Sequence, residues 1–109
     1  MRKKIIKKVK ETEIQSAICD YLALKKHFFW RQNSSGSFQN GKFVKLPKYS
    51  MSGLPDIIVI KDGFFIGLEV KKQNTKQNKN QKEFEKGLKN AGGEYYVVRN
   101  IDDVKNIGL

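Results

Sequence analysis

The sequence predicts an α/β fold, a mixed β-sheet flanked by helices, and three observations point to it. Two apolar runs, Ile57 to Ile60 and Phe64 to Val70, are separated by Asp62-Gly63, the commonest signal for a two-residue hairpin turn. Apolar residues recur at helical spacing ahead of that hairpin (Ile14, Ala17, Ile18, Tyr21, Leu22) and again behind it (Phe84, Leu88, Ala91). A last β-rich run, Tyr95-Tyr96-Val97-Val98, follows Gly92-Gly93, which ends the second helical pattern. The predicted order is helix, strand, strand, strand, helix, strand.

Residues 1 to 10 are a basic lead-in with Ile5, Ile6 and Val9 interspersed, and their sequence is compatible with a short strand or a frayed extension. The first helix is expected from Thr12 to about Lys25. Thr12 and Gln15 have the spacing of a capping box, in which each side chain satisfies a free backbone N–H of the first turn. Phe28 to Gln32 is aromatic-rich and reads as the first strand. His27, directly before it, has no second histidine for company, which argues for a structural or surface role rather than a zinc site. Asn33-Ser34-Ser35-Gly36 opens a loop that is long for a domain of this size. Within it Asn40-Gly41 separates Ser37-Phe38 from Lys42-Phe43-Val44 as a small hairpin flap would require. The same segment carries Lys42, Lys45, Lys48 and Tyr49, a mixture of charge and stacking surface suited to a DNA-facing arm. After the central hairpin, Lys72 to Lys82 is polar and basic and leads into the second helix, with Asn78 or Asn80 as its cap. Glu94 to Arg99 reads as the last strand, and Asn100 as the cap of a short final helix with Asp102 and Asp103 in its first turn.

The 109 residues are expected to form a single domain, residues 1–109, with a modest core. Hydrophobic residues make up 39% and include seven Phe, four Tyr and one Trp, so the chain is globular rather than disordered. Its formal net charge is +11, from 22 basic and 11 acidic residues. An imbalance of that size in so small a chain is a usual footprint of nucleic-acid binding, the plainer alternative being a solubilising basic surface. The basic residues are not confined to one amphipathic helix, which disfavours a membrane surface as partner, and no run is long enough to span a bilayer. The single cysteine, Cys19, excludes an internal disulfide and a Cys-rich zinc site and falls in the apolar pattern of the first helix. A cytoplasmic, reducing setting is expected.

The hairpin fixes its own register. A two-residue loop pairs Lys61 with Phe64, and counting back brings Ile58 to Gly67, Ile57 to Leu68 and Asp56 to Glu69. Two carboxylates directly across a strand pair repel unless something offsets them. Lys71 is two residues beyond Glu69 and therefore shares its face. Two facing carboxylates with a lysine beside them suit a divalent cation and a phosphate; the plainer alternative is that they are strand-end charges splayed into solvent.

Pro55-Asp56 followed by Glu69-Val70-Lys71 resembles the signature of the PD-(D/E)XK metal-dependent nucleases, with the hairpin between its halves. The element order matches their restriction-endonuclease-like αβββαβ core. More narrowly, Ser52-Gly53-Leu54-Pro55-Asp56, Glu69-Val70-Lys71, Gln81 on the next helix, and Gly92-Gly93 leading into Tyr96-Val97-Val98-Arg99 resemble the VRR-NUC family. The resemblance covers nearly the whole chain. It implies a stand-alone nuclease of the kind found in phages, akin to Holliday junction resolvases and acting on branched DNA in a bacterial or infected host cell.

The resemblance also implies a site. Asp56, Glu69 and the Val70 carbonyl, with Glu13 as a further candidate, would hold Mg²⁺ or Mn²⁺ through hard oxygen ligands. Lys71 would orient the attacking water or neutralise charge on the phosphate, and Gln81 would hold the lysine, water or phosphate. Glu13 also has an ordinary explanation, as an acid favoured by the positive end of a helix. Ser52, Lys72, Lys76 and Lys79, with Lys42, Lys45 and Lys48, would meet the phosphate backbone. Symmetric incision of a four-way junction by a domain with one site requires two copies, so a homodimer is expected. A nonspecific or restriction-type nuclease, and a non-catalytic DNA-binding module of the same fold, remain the alternatives.

Overall fold

The structure, a computed structural model, describes residues 9–32, 38–39, 42–43 and 47–109, with 38–39 and 42–43 described as backbone. In chain order the elements are α1 (Glu11–Leu24), β1 (Phe28–Arg31), β2 (Phe38–Gln39), β3 (Lys42–Phe43), β4 (Ile57–Lys61), β5 (Phe64–Val70), α2 (Lys79–Asn90), β6 (Glu94–Val98) and α3 (Ile101–Asn106). One four-stranded mixed sheet has the order β1-β4-β5-β6: the first two pairings are antiparallel and β5 runs parallel to β6. The β2–β3 pair forms a separate antiparallel flap, as expected from Asn40-Gly41. The rest of the lead-in and of the long loop, Lys45 included, lies outside the described residues.

The hairpin register is the one the turn dictates. Lys61 meets Phe64, Ile58 meets Gly67 and Ile57 meets Leu68. Asp62 and Gly63 both take positive φ, at 53° and 80°, the double left-handed geometry whose twist matches the flanking strands. Alternation then divides the sheet into two faces. Ile57, Val59, Ile66, Leu68, Val70 and Val98 point toward α1 and α3, where Ile18, Leu22, Val104 and Leu109 close the core. Burying each fully enclosed aliphatic side chain contributes about 1.5–3 kcal/mol.

Two local expectations are corrected. Lys10, not Thr12, occupies the N-cap of α1 and makes no side-chain cap bond; its carbonyl accepts from Glu13 N and Ile14 N. Gln15 does not reach back, because its Oε1 accepts from Arg31 Nε on β1 at 3.0 Å, so a tertiary contact replaces the capping box. On α2 the Phe84, Leu88 and Ala91 stripe is not buried. Phe84 and Leu88 are half-covered and Ala91 is exposed, since among the described residues this helix packs chiefly on β6. Its cap is Asn78, as one of the two expected candidates, and Asn100 caps α3 through Asp103 N.

Candidate active site

The face of the sheet turned away from α1 carries Phe65, Gly67 and Glu69 in alternation along β5, with Lys71 just past its end, and the site lies at the C-terminal end of that row. Asp56 stands in a bend immediately before β4. Its carbonyl accepts from Gln32 N at 2.7 Å, continuing the β1–β4 pairing by one step. It does not continue the β4–β5 ladder, which ends at Ile57 and Leu68. Instead its carboxylate reaches over, and Oδ2 accepts from Val70 N at 2.8 Å. The expected cross-strand backbone pair of Asp56 with Glu69 is therefore replaced by a side-chain bond, but the two carboxylates still meet.

Glu69 is the one charged residue with only 2% exposure among those described. Burial, then the negative charge of Asp56 and a hydrogen bond shared with it, push its carboxyl up to about 8, while Lys71 and Tyr95 pull the other way. Lys71 Nζ lies 3.9 Å from Glu69 Oε1, an ion pair too long to cancel the repulsion. Gln81 Nε2 donates to the same oxygen at 2.9 Å, and Tyr95 OH donates to Oε2 at 3.4 Å. Burial first, and then the neighbouring Glu69, raise the Tyr95 phenol well above its ordinary value. Phe84 on α2 packs against the Tyr95 ring.

Gln81 has a fixed orientation. It is the N3 residue of α2, and its Oε1 accepts from Asn78 N while Asn78 Oδ1 accepts from Gln81 N, both at 2.9 Å. With the amide oxygen engaged in that capping box, only the nitrogen can face Glu69. Its observed partner is thus Glu69 rather than Lys71.

The loop before Asp56 is set by two close approaches. Gly53 has φ +74°, and a Cβ there would stand 2.3 Å from the Asn80 carbonyl oxygen, so only glycine lets this turn rest on the start of α2. Pro55 is buried over Gly67, where a Cβ would stand 2.7 Å from the proline Cγ. These contacts place Asp56 at the end of β5.

The other candidates are dispersed. Glu13 is exposed and lines a cavity of about 870 Å³ on the α1 side of the sheet, together with Ile14, Lys72, Arg99 and Asp102. Among the described residues no three His, Cys, Asp or Glu side chains gather as a metal-holding group, so Glu13 does not join Asp56 and Glu69. Glu11 is the acid that touches the strand leaving the site, its Oε1 accepting from Lys72 N at 3.4 Å and Thr75 Oγ1 at 3.3 Å. Lys72, Lys76 and Lys79 are exposed beyond β5, and Lys48 is exposed with Nζ 5.1 Å from the Tyr49 ring centroid. Ser52 lines a pocket of about 260 Å³ against Asn80, Glu83 and Phe84. Lys42 has its backbone in β3. Tyr95 and Asn78 were not anticipated at the site. Asn78 followed by Gln81 at capping-box spacing was a readable signal; the parallel register that brings Tyr95 beside Gly67 was not.

Among the solved structures similar to this chain are two VRR_NUC domains. One, described as "VRR_NUC domain", aligns with a TM-score of 0.65 and 21% identity over 89% of this chain and 91% of its own. The other, "VRR_NUC domain protein", gives 0.62 and 21% over 94% and 87%. The chain has the VRR_NUC fold. Neither a protein-family model nor a curated protein matches the sequence. In this VRR_NUC fold the acidic pair lies where one loop, one strand end and one helix start converge. No helix among the described residues is long and apolar enough to cross a membrane.

Proposed function

We propose that this chain is a member of the VRR-NUC family and a metal-dependent DNA endonuclease that hydrolyses phosphodiester bonds, with a preference for branched DNA such as four-way junctions. The observation that carries the reading is the Asp56–Glu69 carboxylate pair beside Lys71. An acid pushed up first by burial and then by its neighbour's charge is a donor set short of positive charge, and two carboxylates with hard oxygens suit Mg²⁺ or Mn²⁺, which complete their shells with water and substrate phosphate. Asp56, Glu69 and the Val70 carbonyl would hold the ion. Bound there, it supplies Lewis-acid polarisation of the phosphate and a more acidic water.

The chain's own groups have separable roles. Lys71, on the same face as Glu69 and 12% exposed, neutralises charge developing on the phosphate oxygens. Gln81 is a positioning residue: by holding Glu69 Oε1 it fixes which way the carboxylate opens. The exposed lysines at 48, 76 and 79 contribute phosphate contacts without base readout, so affinity falls steeply with salt while sequence preference is weak. Two copies would act together on a symmetric junction.

The test is cleavage of a four-way junction beside linear duplexes of matched sequence, with Mg²⁺ and with chelator. Junction incision that requires Mg²⁺ and disappears in Asp56→Asn is the expected result. Equal cutting of both substrates would replace junction preference by general nuclease activity, and no cutting of either by the intact protein would leave a DNA-binding module.

A further inference from the structure

We propose that Trp30 and Phe28 form a stacking platform for unpaired bases of a DNA strand passing through the active site. The inference rests on the endonuclease reading and specifies which part of the substrate that site grips. In β1, Phe29 packs on the core and Arg31 bonds α1, so alternation turns Phe28 and Trp30 to the opposite face. The register makes that the face of Glu69: Trp30 pairs with Ile58, and Ile58 with Gly67, two residues before Glu69. With strands about 4.8 Å apart and a rise of about 3.4 Å per residue, the Trp30 backbone lies about 8 Å from Asp56 and about 12 Å from Glu69.

Among the described residues no element covers this end of the face. Phe28 is 71% exposed and Trp30 40%, because α2 covers the β6 end instead. Yet the indole is not free to turn. Trp30 Nε1 donates to Gln32 Oε1 at 2.8 Å, and Gln32 in turn bonds Asp56 through its backbone. Phe28 meets the indole edge-on, with centroids 6.4 Å apart and planes at 79°. A pinned aromatic plane with an exposed surface, one strand across the sheet from Asp56 and two from Glu69, is what a splayed base stacks on.

The charge balance favours this occupant over another protein surface. The chain carries +11, and exposed Lys25 and Lys26 lie in the turn between α1 and β1. A second copy would bring the same positive charge to the same place. Two aromatic side chains also offer only a few hundred Å², short of the roughly 800 Å² per partner of a stable protein interface.

Trp30 is the only tryptophan, so its fluorescence reports the platform directly. The whole protein is titrated in chelator with oligothymidylate, with an abasic strand of equal length, and with blunt duplex. Oligothymidylate should quench the indole, while the abasic strand and the duplex bind through lysines without quenching. Trp30→Leu should lose about five- to a hundred-fold in affinity for oligothymidylate, the worth of one base stack, and keep its affinity for duplex. Trp30→Phe should recover part of the loss. Absence of quenching in the intact protein, equal quenching by the abasic strand or the duplex, or a fluorescence change that follows protein concentration and a dimer lost in Trp30→Leu would each overturn the platform. Since no cleavage is involved, a protein that quenches but never cuts with Mg²⁺ refutes the endonuclease reading alone, and one that cuts without quenching refutes the platform alone.

Discussion

Gln81 donates from Nε2 to Glu69 Oε1 across 2.9 Å with its amide oxygen already held by Asn78 N. The start of α2 and the central acid of the site are thereby one hydrogen-bonded unit, and helix capping and site geometry depend on the same side chain. A substitution that preserves the cap but reverses the polarity toward Glu69 separates the two roles.

Gln81→Glu is that substitution. A carboxylate oxygen can still accept from Asn78 N, so α2 stays capped, but a third acid now faces Glu69 and Asp56. In chelator the melting temperature should fall by several degrees. With saturating Mg²⁺ or Mn²⁺ the difference should shrink or reverse, because another hard oxygen joins the cation's donors. A Gln81→Glu protein as stable as the parent in chelator would mean that the amide is oriented otherwise than by Asn78.

The raised carboxyl of Glu69 gives a pH dependence with a definite sign. Its folded value of about 8 stands above the ordinary carboxylate value of 4.5. The folded state therefore binds a proton that the unfolded chain releases, and the associated stability is complete below pH about 4.5 and lost as pH rises through about 8. In chelator the melting temperature should decline between pH 5 and 8.5 more steeply for the parent than for Glu69→Gln. Glu85, whose carboxyl is lowered chiefly by its bond to Lys89, acts in the opposite sense at lower pH and stays outside that window. Thermal melts of both proteins at half-unit steps check it, and parallel curves would remove Glu69 as the titrating group.

What could be read from the sequence was whatever local rules dictate. Asp62-Gly63 determined the turn, the turn determined the register, and the register placed Glu69 and Lys71 on one face with Ile57 and Leu68 on the other. Asn78 and Asn100 were readable as caps because an N-cap bond spans only three residues. Failures came where a distant partner outbid a local one. Arg31 drew Gln15 away from the expected capping box, and Val70 N drew the Asp56 carboxylate out of the anticipated strand pair. Tyr95 was invisible because a parallel strand reached through a helix has no turn to set its register. Where Glu11 and Glu13 stand relative to the acidic pair depends on helix rotation against the sheet, which periodicity alone leaves open.

Gly53→Ala tests how tightly the Asp56 loop is bound to α2. Its φ of +74° disfavours any L side chain, and the added Cβ would meet backbone, not a movable side chain. A loss of about 1–3 kcal/mol is expected, or a fall of roughly 4–8 °C in Tm for each kcal/mol. Gly63→Ala, at φ +80° with nothing within 4 Å of its Cβ, carries the conformational strain without the clash. Gly53→Ala should therefore be the less stable of the two and should also lose Mg²⁺-dependent stabilisation, whereas Gly63→Ala should keep it.

Asp56→Asn addresses the acidic pair itself. The asparagine oxygen can still accept from Val70 N, so the loop keeps its attachment, while the amide nitrogen turns a repelling neighbour of Glu69 into a donor. Without metal the variant should be at least as stable as the parent, because burial of Glu69 no longer includes a second negative charge. It should lose most of the rise in melting temperature that a native-state ligand produces by mass action when Mg²⁺ is added. DNA binding should persist, since phosphate contacts come from lysines elsewhere on the surface, and cleavage should disappear. Melting curves of both proteins in chelator and in Mg²⁺ decide the matter: an Asp56→Asn protein that is clearly less stable in chelator and retains the full Mg²⁺ response would show that Asp56 serves Val70 alone and that the two carboxylates do not share a site.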